Sequence, residues 1–178
     1  TCAGLLFNLT TNGNGRLLDE RMRGVVQDPA TLGLLLAVVY AVASMAQVIV
    51  GRLIDRFPLK RLQLIVVLVQ APLLALTAHA QGWWLYAALL AAMVLVFGGI
   101  PFTDATIVRY VDDRMRSRVA GVRLALSAGI SSGAVWVLGP AVKSAGFDTL
   151  LLWMAGISLF TAVVVLFLPG EPGAGAAP

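Results

Sequence analysis

One cysteine, Cys2, and one histidine, His79, serve the entire chain of 178 residues. A lone thiol cannot form an internal disulfide, and a cysteine- or histidine-built metal site needs more than one ligand of its kind. Charge is equally sparse. Asp, Glu, Lys and Arg make up 12% of the chain, about half of the roughly 25% typical of soluble domains. Such a chain is a poor soluble globule. No basic segment precedes the first apolar stretch, which Thr1 enters directly, so the pattern is that of a chain cut within a helix rather than of a secretory leader.

Long apolar runs are what the sequence does have. Hydrophobic residues form 59% of it and mean hydropathy is +0.88. A helix crossing a hydrocarbon core about 30 Å thick needs about 20 residues, because it rises about 1.5 Å per residue. Residues 31–50, TLGLLLAVVYAVASMAQVIV, reach that length without one charge. Residues 62–81, with Pro72 inside, and 83–103, opening on Trp83, Trp84 and Tyr86, do the same; amphipathic rings favour the interface. Two more segments run over 119–142 and 149–168. Residues 1–10 read as the end of a first helix, broken by the polar TNGNG that follows. The expected fold is all-α: a polytopic transmembrane bundle of about six spans, the first truncated, over residues 1–168. The tail 169–178, PGEPGAGAAP, reads as disordered.

Consecutive spans reverse direction, so the connecting segments alternate between two sides and their charges can be counted by side. One side collects Arg52, Arg56, Lys60, Arg61, Arg109, Arg114, Arg116, Arg118 and Arg123; the other has Arg16, Arg21, Arg23 and Lys143, offset by Asp19, Glu20, Asp28 and Asp148. The positive-inside rule counts Lys and Arg, which makes the first side cytoplasmic, in an inner membrane. The net charge of +4 is thus an orientation signal rather than a nucleic-acid footprint, since no aromatics interleave with the bases. Small residues recur every four positions at Gly121, Ala125, Gly129 and Gly133, and at Gly33, Ala37 and Ala41. Helices in lipid associate through such stripes, although small residues are also simply common in membrane helices.

The segment GRLIDRFPLKR, residues 51–61, resembles the cytoplasmic signature of the major facilitator superfamily, approximately G-x-x-x-D-[RK]-x-G-[RK]-[RK]. Gly51, Asp55, Arg56 and Lys60 match it; Pro58 stands at the Gly position and Leu59 at a basic one. A weakened copy of the signature, with six segments and a terminal tail, is similar to the C-terminal half of such a transporter, helices seven to twelve. Residues 100–123 resemble the tenth helix, its loop and the start of the eleventh, and residues 5–22 the seventh helix, which often breaks near its outer end. The resemblance implies alternating-access transport of a small molecule driven by a proton or solute gradient, no cofactor, and an N-terminal six-helix half as partner.

By the same resemblance Asp55 and Arg56 belong to a cytoplasmic gate; otherwise they are solvated charges of small effect, as exposed ion pairs are. Asp104 lies 21 residues beyond Trp83, near the inner edge of its span. A carboxylate there needs a partner or water, and Arg109 and Arg123 are the two in reach. Arg109 can instead meet Asp112 or Asp113 at i+3 and i+4. Asp55, Arg56, Asp104, Arg109 and Asp113 thus form the expected gate network, the alternative being an interfacial ion pair. Asp112 and Asp113 also resemble the start of a magnesium motif of lipid-modifying enzymes, but no second acidic group follows and a divalent ion needs more oxygens. No metal and no catalysis are expected. For the substrate path the leads are Asn8, Thr11 and Asn12 at the TNGNG break, with Tyr40 and Gln47 on the next span. For Gln47 and Gln70 the alternative is hydrogen bonding between helices.

Overall fold

A computed structural model describes residues 2–168, and every element in it is helical: α1 (Cys2–Met22), α2 (Pro29–Arg56), α3 (Leu59–His79), α4 (Gly82–Gly98), α5 (Ile100–Tyr110) and α6 (Asp113–Leu166). The tail 169–178 lies outside the described residues.

Local chemistry sets the boundaries. The Asp28 carboxylate accepts hydrogen bonds from the Thr31 backbone N–H at 3.0 Å and the Thr31 hydroxyl at 2.7 Å, with Pro29 in the first turn, so α2 begins at a capped end. It stops at Phe57, whose extended backbone (φ −121°, ψ 155°) is what a following proline demands. Pro101 cannot donate to the Phe97 carbonyl four residues back, and α4 gives way to α5 at Gly99. Gly99 itself stays in the right-handed helical region, so the two form one bent crossing of 29 residues. Asp112 caps α6 through Asp113 N–H at 3.0 Å.

As a straight rod α6, with 54 residues, would run to roughly 80 Å, more than twice a bilayer core. It does not run straight. Gly146 takes φ 77°, ψ 168°, a left-handed backbone for which glycine is suited. Residues 113–145 form a first arm and 147–166 a second. The first arm rises beside α1, with Ser127 against Gly4. The second returns beside α3, with Ser158 bonded to the Val67 carbonyl and Leu166 reached by Lys60. Counting both arms, six rods stand side by side. Four helices, α2, α3, the α4–α5 crossing and α6, are long and apolar enough to cross a membrane.

α1 departs from expectation. It runs unbroken through TNGNG to Met22, where the sequence reads as a break. Tertiary packing overrides the local preference: Asn14, Leu17, Leu18 and Met22 are all buried, Asn14 donating to Met93 Sδ at 3.2 Å. Gly13 lies against the Phe147 ring and Gly15 against Leu36, so small residues here let neighbouring helices approach.

One core joins α1, α2, α3, α4 and the second arm around Leu17, Leu18, Leu85, Leu89, Met93 and Met154. A smaller cluster of Ile54, Leu59, Val66 and Phe102 closes the basic end. Outward faces are apolar, with Trp84 and Trp136 each 82% exposed, as a surface facing lipid rather than water should be.

Candidate functional site

Between α1 and the first arm of α6 runs an open groove of about 640 Å³. Its polar lining is Asn8 and Asn12 from α1, one turn apart, facing Ser127, Ser131 and Ser132. Each asparagine gives one amide hydrogen to the preceding turn, Asn8 to the Gly4 carbonyl at 2.9 Å and Asn12 to the Asn8 carbonyl at 2.8 Å. Their amide oxygens and second hydrogens remain for a guest. The lining has no charged residue.

The other substrate-path candidates lie elsewhere. Tyr40 points into the core, stacked on Phe97 with ring centroids 5.9 Å apart and its hydroxyl donating to the Thr11 carbonyl at 3.1 Å. Thr11 Oγ1 is buried there without a partner. Gln47 is half-buried on α2, outside the groove lining. Gln70 is buried in α3, and among the described residues it makes no direct bond to a neighbouring helix.

At the basic end the expected gate residues form separate contacts rather than one network. Arg109 donates to the Ile54 carbonyl at 2.5 Å, tying α5 to α2. Asp104 meets Arg123 at 2.7 Å, joining α5 to the first arm. Asp113 pairs with Arg116 at 2.8 Å, while Arg116 also donates to the Val108 carbonyl. The i+3 and i+4 geometry between Arg109 and the two aspartates is lost because Val111 is extended (φ −112°, ψ 131°). Asp55 and Arg56 are exposed, and neither has an ion-pair partner among the described residues. Gly51 has open space around it. Lys60 donates to the Leu166 and Leu168 carbonyls at 2.8 and 2.6 Å, capping the end of the second arm.

A family model for the Major Facilitator Superfamily matches residues 3–178. The chain belongs to the major facilitator superfamily. No curated relative and no solved structure matches it.

Major facilitators are membrane transporters. In the Asp112–Asp113 pair one carboxylate caps a helix and the other holds Arg116. The small-residue stripes are uncovered within the described residues. Gly121, Ala125, Gly129 and Gly133 are exposed, and a methyl group added at any of the three glycines would meet nothing within 4 Å. Gly33, Ala37 and Ala41 on α2 are exposed too. Among the described residues no helix packs on either stripe.

One residue that sequence reasoning passed over organises the opposite end of this facilitator. Arg21, which counted there only as an offset base, forms an ion pair with Asp148 and donates to the carbonyls of Ala78 at 2.5 Å and Ala80 at 3.1 Å. It fastens the end of α1 to the end of α3 and to the start of the second arm. The available signal was its place one helical turn after Leu17 and Leu18, on a face that buries.

Proposed function

We propose that this chain is the C-terminal six-helix half of a secondary transporter, and that the groove between α1 and the first arm is its wall of the solute path. The full protein moves a small molecule by alternating access, coupled to a proton or solute gradient. The N-terminal half is its partner, and the basic end faces the cytoplasm from an inner membrane.

The observation that carries this reading is the placement of the groove. Its neutral hydrogen-bonding groups line an open groove on α1 and the first arm, and the small-residue stripes of the first arm and of α2 are both exposed. Polar groups at membrane depth belong where they line a cavity or meet protein, and small-residue stripes belong where helices approach. A second bundle seated on the stripes turns the groove into an enclosed path. Asp104–Arg123 and Arg109–Ile54 then lie at the cytoplasmic mouth and act as gate contacts that favour one state of the alternating cycle.

Cysteine accessibility in the full-length protein tests this. Cysteines at Asn8 and Asn12 should react with a membrane-impermeant thiol reagent from one side at a time, with protection by transported solute; a cysteine at Trp84, on the exposed face of α4, should not be protected. Equal and solute-independent labelling of all three sinks the assignment.

A further inference from the structure

The bundle interior holds a second cavity, which shares no lining residue with the groove. It measures about 30 Å³, and its polar walls are Gln63 and Gln70 of α3, Ser158 and Thr161 of the second arm, and the backbone at Gly99, where α4 meets α5. Gln70 stands 11 residues into α3, about 16 Å along the helix and so near the bilayer midplane.

The hydrogen bonds around this space leave polar groups on its walls without protein partners. Ser158 gives its hydrogen to the Val67 carbonyl at 3.3 Å, and Thr161 gives its own to the Ile157 carbonyl at 2.8 Å. Both hydroxyls therefore present only lone pairs to the cavity. Gln63 Oε1 is buried with no partner among the described residues. Gln70 is 3% exposed and its side chain has no hydrogen bond among the described residues. Lipid cannot supply what is missing, because nothing in the hydrocarbon core donates.

We propose that this cavity is a binding site for water, which joins α3 to the second arm and to the α4–α5 joint. The dimensions fit: a water requires roughly 10–15 Å³ measured in this way and two to four polar partners, so one or two molecules are held. The chemistry selects a guest that donates hydrogens. Water does so and also accepts from the Gln70 amide. A metal cation would use the same oxygens, but no carboxylate lines the cavity to offset its charge, and an unpaired buried charge is strongly disfavoured. The water bridges replace the direct helix-to-helix bond that Gln70 does not make.

Thermal unfolding of the full chain in detergent tests the proposal. Gln70→Leu fills the space with apolar volume, expels the water and strands the Gln63 oxygen. The melting temperature should fall by several degrees, and adding Gln63→Leu should recover part of that loss, as coupled neighbours do. If the cavity is dry, Gln70→Leu leaves the melting temperature unchanged or raises it, and the proposal fails. If the guest is a cation, wild-type protein melts higher in sodium chloride than in choline chloride at equal ionic strength; that too overturns the proposal, which expects equal values. Should the variants not fold, an experimental structure of the wild type that resolves ordered waters decides. Density within hydrogen-bonding distance of Gln63 Oε1 and Ser158 Oγ is expected, and an empty cavity refutes it.

Discussion

Arg21 and Asp148, 127 residues apart in the chain, form an ion pair that closes the end of the bundle opposite the basic one. The two partners are unequal. Arg21 has a side chain 13% exposed and also serves carbonyls at the end of α3, whereas Asp148 is 57% exposed. Helix C-termini leave carbonyls without intrahelical donors, and Arg21 supplies two hydrogen bonds to that end. Arg21→Gln therefore removes donors that several acceptors share and should destabilise by about 1–3 kcal/mol. Asp148→Asn loses an exposed attraction and should change stability by no more than about 1 kcal/mol. Denaturation of both variants in the same detergent checks the order; equal losses would mean that the ion pair, not the carbonyls, is what Arg21 contributes.

Much of this architecture was legible beforehand because lipid imposes length. Charge-free residues 31–50 and the Trp83-led run had little choice but to be helices of spanning length. The pair Asp104–Arg123 was legible too, since a carboxylate near the edge of a span has few basic groups in reach. What stayed hidden depended on neighbours distant in sequence. TNGNG carries every local sign of a break, yet α1 passes through it because Met93, Phe147 and Leu36 receive Asn14, Gly13 and Gly15. The stripe from Gly121 to Gly133 has the spacing of a packing face but meets no helix among the described residues. Spacing reveals that a helix is able to pack closely, not against what.

The Asp104–Arg123 contact gives a functional prediction. Asp104 has a side chain 67% exposed, so Asp104→Asn should cost the fold less than about 1 kcal/mol. As the gate contact proposed above, it would act on the balance between conformations rather than on folding. In the full-length transporter Asp104→Arg should slow solute flux, and combining it with Arg123→Asp should restore most of the rate. Flux in proteoliposomes, measured beside melting temperature, separates the two roles; a swap that fails to rescue argues against the gate.

The entry to α2 predicts a pH effect. The hydroxyl of Thr31, and then its backbone N–H, hold the Asp28 carboxyl below the usual carboxylate range. A depressed folded-state value means that the unfolded chain takes up the proton first as pH falls. The cap's contribution is complete above the unfolded value of about 4 and disappears as pH drops through the lower folded value. Asp28→Ala should thus melt below wild type at neutral pH, and the two curves should converge under acid conditions. A gap that stays constant with pH would show that the ionised carboxylate is not the stabilising form.

Asn12 and Tyr40 provide paired variants that distinguish the groove from the core. Asn12 lines the groove, and if the groove is the solute path proposed above, Asn12→Ala removes a hydrogen-bonding partner from the solute while leaving the buried packing alone. The loss of one such bond, about 0.5–1.5 kcal/mol, corresponds to a rise in KM of roughly two- to tenfold, with little change in melting temperature. Tyr40→Phe strips the hydroxyl from the Thr11 carbonyl inside the bundle and should lower stability by a similar amount while KM stays near wild type. Transport kinetics and thermal unfolding on both variants make the comparison. If Tyr40→Phe shifts KM and Asn12→Ala does not, the solute lies deeper among the core aromatics than the groove, and the path has to be redrawn through α2.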